Sequence, residues 1–221
     1  MTLLKKENPK MKRVPLPKPA FEKLIEYLKS VKKPLPDGLD PYLEKVMTAS
    51  LCLGTHVIHP EGAAIDIAYF ISRGFMIAFY IDEKGNEQVL DIFFAGEIVA
   101  GNSFMNGKPA RYNLRIFKDA FVLEITHAQM EAGYASIEGM DELARLTLAS
   151  FEDKEVEWNN AKSKGGEELV YFLYKNNLDL LPPGNVIKDP NLASRLGMSI
   201  DTLQRYRSSL IKKGLLPDKR G

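Results

Sequence analysis

A chain of 221 residues with 45% hydrophobic residues is long enough for one large domain or two modest ones, each with a real core. No stretch approaches the roughly 20 apolar residues that cross a bilayer, and the start, MTLLKKENPKMKR, lacks the apolar region of a secretory signal. A single cysteine, Cys52, excludes an intramolecular disulfide and a multi-cysteine zinc or iron–sulfur site, so a reducing cytoplasm is the expected compartment.

In chain order, KRVPLPKP (12–19) reads as an extended, proline-stiffened lead-in. FEKLIEYLKSV places Phe21, Leu24, Ile25 and Leu28 on one helical face. DGLDPYLEKVMTASL offers Asp40 as N-cap and Pro41 as first helical residue, so two short N-terminal helices are expected. Strand-like runs follow: CLGTHVIHP, AIDIAYFISRG, FMIAFYID, EQVLDIF, ARYNLRIF and AFVLEIT. EKGN (83–86) makes a compact hairpin turn with Gly85 at positive φ. Strands at roughly 8–12-residue spacing predict an all-β roll or barrel. Between them lies FFAGEIVAGNSFMNGKPARY (93–112), rich in glycine and small residues, which reads as a phosphate-cradling pocket or as a long turn.

Near residue 137 the pattern changes. IEGMDELARLTLASFEDKEVEWNNAKSKGG has no proline, and Met140, Leu143, Leu146, Thr147, Ser150 and Phe151 recur at helical spacing, predicting one long amphipathic helix with a charged second half. EELVYFLYKNN predicts another helix, and LDLLPPGNVIKDP breaks the chain before the last segment. Charge is also partitioned. The whole chain carries +1, residues 1–13 hold five bases and one acid, and residues 185–221 hold eight bases and three acids. A basic end on an acidic body suits an anionic partner such as nucleic acid, or is simple surface variation.

NLASRLGMSIDTLQRYRSSLIKKG (191–214) has the pattern of a helix-turn-helix. Ala193 is small where two helices would cross, Gly197 permits the tight turn, and Ser199 is a natural N-cap. Leu192, Leu196, Leu203, Tyr206 and Leu210 form the expected buried seam. Asp201, Arg205 and Ser208 share the other face, flanked by Thr202 and Gln204. On this reading Arg205 reads a guanine edge and Asp201 orients it or accepts from a cytosine amine. Arg195, Arg207, Lys212 and Lys213 are candidates for phosphates, or belong to a solvated face. The competing reading is an ordinary helix pair with an Asp201–Arg205 surface bridge worth under about 1 kcal/mol.

A β-roll, a long helix and a C-terminal helix-turn-helix, in that order, resemble the CRP/FNR family of bacterial transcription regulators. YFISRGFMIAFYIDEKGNEQVLDIFFAGEIV (69–99) is similar to the family's cyclic-nucleotide-binding fold, and SIDTLQRYRSSL matches its recognition-helix pattern Ser-Arg-Glu-Thr-x-x-Arg. The resemblance implies an α+β chain of three parts. Residues 1–137 would be N-terminal helices and a double-stranded β-helix (β-roll) sensor. Residues 138–164 would be a long dimerisation helix, and 165–221 a winged-helix-like helix-turn-helix. It also implies a homodimer on a two-fold symmetric operator in double-stranded DNA, with RNA polymerase as a further partner, no membrane and no enzymatic activity. The sequence departs from the pattern at Ile200 and Asp201, which stand for an arginine and a glutamate, and with LLPDKRG following the recognition helix a truncated wing is expected.

The resemblance also locates an effector pocket at Gly101, Asn102, Ser103, Arg111 and Tyr112. Gly96-Glu97 aligns with an earlier Gly-Asp of the family, and the nucleotide cassette's Gly-Glu falls on Ala100-Gly101, so the ribose glutamate is absent. Arg111 stands at the distance of the phosphate arginine, but Tyr112 replaces the following hydroxyl residue and can fill the cavity. Arg111 therefore meets a small anion or is a surface turn residue. Cyclic AMP is not the expected ligand, no cofactor is assigned, and any small-molecule effector is unknown. Nothing marks His127 as a haem ligand. Two other readings remain: a cupin-like metalloenzyme using His56, His59 and Glu61, whose two histidines would diverge on a strand, and a protein-interaction module that does not bind DNA.

Overall fold

The computed structural model describes residues 10–219, with the side chain of Asn102 excepted. The basic residues Lys5 and Lys6 and the terminal Arg220 lie outside the described residues. The chain divides into two compact units, one reaching to Tyr80 and including Asp91–Leu148, the other made of Ile81–Leu90 and residues 149 onward.

Before the long helix the chain forms β1 (Met11–Val14), α1 (Lys18–Val31), α2 (Leu39–Val46), β2 (Thr48–Cys52), β3 (His56–His59), β4 (Ile67–Arg73), β5 (Phe75–Ile81), β6 (Glu87–Phe94), β7 (Ile98–Val99), α3 (Asn102–Asn106), β8 (Asn113–Ile116), β9 (Phe121–Thr126) and α4 (His127–Ser136), all in the first unit except the ends of β5 and β6 that fall within Ile81–Leu90. The strands form a five-stranded sheet in the order β1-β2-β9-β4-β7 and a four-stranded sheet in the order β3-β8-β5-β6. This is a β-roll flanked by helices, as the strand spacing predicts. Strand β4 reads as a nearly continuous apolar run because both of its faces are covered. Successive side chains alternate across a strand, and in β4 Tyr69 and Ile71 join the cluster holding Cys52, Met76 and Val122. Ala68 and Phe70 join a second cluster with Leu24 and Leu28 of α1 and Leu43 of α2.

Several elements differ from expectation. The lead-in before Pro15 is strand β1, paired antiparallel with β2 from Met11↔Cys52 to Val14↔Ala49. CLGTHVIHP, one run in the sequence, bends near Gly54 and supplies β3 to one sheet while Cys52 ends β2 in the other. Helix α2 begins at Leu39 with Gly38 (φ 80°) as its cap, so Asp40 sits in the first turn instead. Helix α4 has little amphipathic periodicity and escapes a pattern search. Its signal is local: Thr126 accepts from the Gln129 N–H while the Gln129 side chain caps Thr126, a Thr-x-x-Gln capping box.

Helix α5 (Met140–Ser163) is the long helix expected. The second unit continues with α6 (Gly166–Lys175), a 3-10 turn at Leu178–Leu180, α7 (Asp189–Leu196) and α8 (Ile200–Lys212). Leu169, Leu173, Leu180, Leu192, Leu203 and Leu210 are among its buried side chains. Its hairpin tip, Ile81–Leu90, turns at Gly85 (φ 81°), and the Asp82 carboxylate accepts from the Lys84 and Asn86 N–H groups. Within this unit the Ser194 hydroxyl of α7 accepts from the Val89 N–H at 2.9 Å. Among the described residues no strand follows α8, and no helix is long and apolar enough to cross a membrane.

Candidate functional site

Helices α7 and α8 are joined by a turn built from three residues. Gly197 adopts the left-handed conformation (φ 65°), and the Met198 N–H returns to the Ala193 carbonyl at 3.0 Å, closing α7 in the manner of a glycine C-cap. Ser199 caps α8, its hydroxyl accepting from the Thr202 N–H at 3.2 Å. Leu192, Ala193, Leu196, Leu203 and Leu210 are buried as the spacing predicts, and Tyr206 is half-buried. A Cβ added at Gly166 would stand 2.8 Å from the Tyr206 ring, so that glycine lets the N-terminus of α6 approach α8.

A charge pair that the sequence reading missed sits in this seam. Arg207, 8% exposed, holds Asp189 at the start of α7 with two parallel bonds of 2.8 and 2.9 Å and donates to the Tyr174 hydroxyl at 3.0 Å. The Arg207 bond keeps the Asp189 carboxyl below its ordinary range. Arg207 thus faces the seam, paired with Asp189, and not the exposed face of α8 where a phosphate contact is expected. Its position was legible: residues 203, 207 and 210 recur at the spacing of the buried face, and the arginine lies on that face.

The opposite face of α8 presents Asp201, Gln204, Arg205, Ser208 and Lys212, all exposed. Gln204 donates to Asp189 at 3.1 Å, and the Arg205 guanidinium lies 5.4 Å from the Tyr206 ring centre. Thr202 is half-buried and accepts from the Ser199 hydroxyl at 2.9 Å. Ile200 opens the helix 40% exposed. Two basic candidates are engaged inside the unit. Arg195 stacks 3.9 Å over the Trp158 ring, which is itself edge-on to Phe172, and Lys213 pairs with Glu167 at 2.7 Å.

In the first unit, residues 93–112 resolve into a turn, a short helix and an arm. Gly96 (φ 91°) and Glu97 are turn-formers: the Glu97 carboxylate accepts from the Phe94 N–H at 2.9 Å, and the Gly96 N–H reaches the Ile71 carbonyl. Gly101 caps α3 and Asn102 opens it. Ser103 is buried, its hydroxyl accepting from the Ile65 N–H at 2.9 Å, so it serves the fold. Arg111 is exposed. Tyr112 is half-buried against the core cluster of Tyr69, Val99 and Leu114, and its hydroxyl lies over Gly101. Burial pushes the Tyr112 phenol pKa up.

The histidines of β3 point to separate partners. His56 Nδ1 lies 2.6 Å from the Gly54 carbonyl, and His59 Nε2 lies 2.7 Å from the buried Tyr69 hydroxyl. Among the described residues no group of three or more His, Cys, Asp or Glu side chains is arranged to hold a metal ion.

Residues 51–136 match the family described as the cyclic nucleotide-binding domain. No curated protein matches the chain by sequence. Solved structures share the fold at low identity. FixK2 from Bradyrhizobium japonicum superposes with TM-score 0.64 at 16% identity, covering 79% of this chain and 89% of its own. A cyclic nucleotide-binding domain from Methylobacillus flagellatus gives 0.59 at 14% identity, covering 79% and 92%. The c-di-GMP-responsive global regulator CLP of Xanthomonas campestris gives 0.57 at 15% identity, covering 82% and 94%. Residues 51–136 thus match the cyclic nucleotide-binding domain family, and the chain shares its fold with these solved structures.

Proposed function

We propose that this chain is a DNA-binding transcription regulator that acts as a homodimer on a two-fold symmetric operator, working in the cytoplasm without catalysing a reaction. The observation that carries the proposal is the two-sided character of α8. One side is buried in the seam with α6 and α7, while the other exposes Asp201, Gln204, Arg205 and Ser208, with Ile200 the one exposed large apolar side chain at the helix start. An α-helix with such a face fits the major groove, where base edges offer a distinct pattern for each pair.

Arg205 is the proposed base reader, bidentate to guanine. Asp201 and Thr202 flank it, Ser199 and Gln204 set the helix start and its tie to α7, and Lys212 meets phosphate. Arg195, stacked on Trp158, braces α7 and is the weakest of the predicted DNA contacts. RNA polymerase is a further proposed partner. The pocket at Gly101, Asn102, Ser103, Arg111 and Tyr112 does not take cyclic AMP on this reading, since a glycine stands where the ribose acid would be.

Selection from a random duplex pool tests the proposal. A symmetric site should emerge, with affinity falling steeply as salt rises. Arg205→Ala should cost about 1–3 kcal/mol on that site and relax the preference at one base pair. A pool that yields no symmetric site sinks the regulator reading, and calorimetry showing micromolar binding of cyclic AMP sinks the pocket reading.

A further inference from the structure

Gly101 needs no glycine for its backbone. Its φ of −75° and ψ of 167° are open to any residue. What excludes a side chain is Tyr112: an added Cβ would collide with the Tyr112 hydroxyl and lie 3.3 Å from its Cζ. The two residues bracket an excursion that carries α3 and returns to the sheet at β8. A second tie closes the same excursion, where Ala110 and Ala63 pair through the Ala110 N–H at 2.9 Å. The ring of Tyr112 packs on the interior cluster of the roll, so the phenol spans from the core to the base of α3.

We propose that Tyr112 is the built-in occupant of the effector pocket, a phenol that fills the space over Gly101 and fixes α3 without any bound small molecule. The inference rests on the reading of residues 101–112 as the effector pocket. It goes further in naming what fills that pocket and in making Gly101 and Tyr112 a coupled pair. On this proposal the phenol competes with any ligand for the space over Gly101, independently of the missing ribose acid.

The test is a double-mutant cycle on the full chain. G101A should lower the melting temperature by roughly 5 °C, the scale of an overpacked interior methyl in a domain of this size. In the Y112F background, where the hydroxyl is gone and the nearest ring carbon is 3.3 Å away, most of that loss should disappear. Y112A should speed amide exchange of residues 102–106 at least tenfold, Y112F should leave it near wild type, and added phenol should slow it again saturably in Y112A alone, as small aromatics fill engineered cavities. Equal cost of G101A in both backgrounds, or exchange in Y112A that neither rises nor responds to phenol, overturns the proposal. These readouts do not involve DNA, so failure to find an operator would count against the regulator reading and leave this one standing.

Discussion

Arg207 and Asp189 show how a charge can be read on the wrong side of a helix. Their pair is mostly hidden, with side-chain exposures of 10% and 17%, and it ties α8 to the first turn of α7. Asp189 has its pKa lowered on folding, chiefly by the Arg207 bond. A carboxylate with a depressed folded pKa contributes stability above its unfolded pKa of about 3.9, and that contribution is lost as pH falls through the folded value. Asp189→Asn should therefore cost on the order of 3 kcal/mol at neutral pH, because Arg207 is left buried without its counter-charge. It should also flatten the loss of stability below about pH 4. Urea unfolding followed by Trp158 fluorescence reads this unit directly, since Trp158 is the chain's one tryptophan. An acid limb as steep in the variant as in the wild type would move the acid sensitivity to another group.

At the scale of elements, the turn between β4 and β5 depends on a close backbone approach. Gly74 has φ 92°, and a Cβ there would stand 2.7 Å from the Ala120 Cα, a backbone atom that cannot rotate away. Gly85, in the β5–β6 turn, has φ 81° with nothing within 4 Å of an added Cβ. Gly74→Ala should cost about 3 kcal/mol from strain and overpacking together, and Gly85→Ala about 1 kcal/mol from strain alone. Thermal melting of the two variants separates the causes, and equal losses would show that the approach to Ala120 contributes nothing.

For the molecule as a whole, the proposed homodimer puts its demand on α5. Ala149 and Val156 are exposed and lie seven residues apart on one stripe of that helix, and Val156 is 58% exposed amid acidic neighbours. If this stripe meets its copy, sedimentation of the wild type should give twice the mass of one chain. Val156→Glu, placing like charges in the seam, should shift the protein to monomer and weaken operator binding at least tenfold. A dimer that survives the substitution would place the seam on another stripe.

Periodicity and turn chemistry by themselves determined the long helix α5, the strand series of the roll, the Gly197 turn and the Ser199 cap, because each depends on residues within a few positions of one another. The helical period also assigned most of the seam between α7 and α8. Only the tertiary structure decided that CLGTHVIHP serves two sheets, that Arg207 is buried and that Arg195 lies on Trp158. Each of these outcomes depends on a partner distant in sequence: Asp189 is 18 residues from Arg207 and Trp158 is 37 from Arg195. The segment 93–112 shows the boundary most clearly. Its glycines and small residues read equally as a phosphate cradle or a long turn, but what approaches Gly101 is the chain's own Tyr112, and the distance between a hydroxyl and a missing methyl is set only when the excursion closes on the sheet.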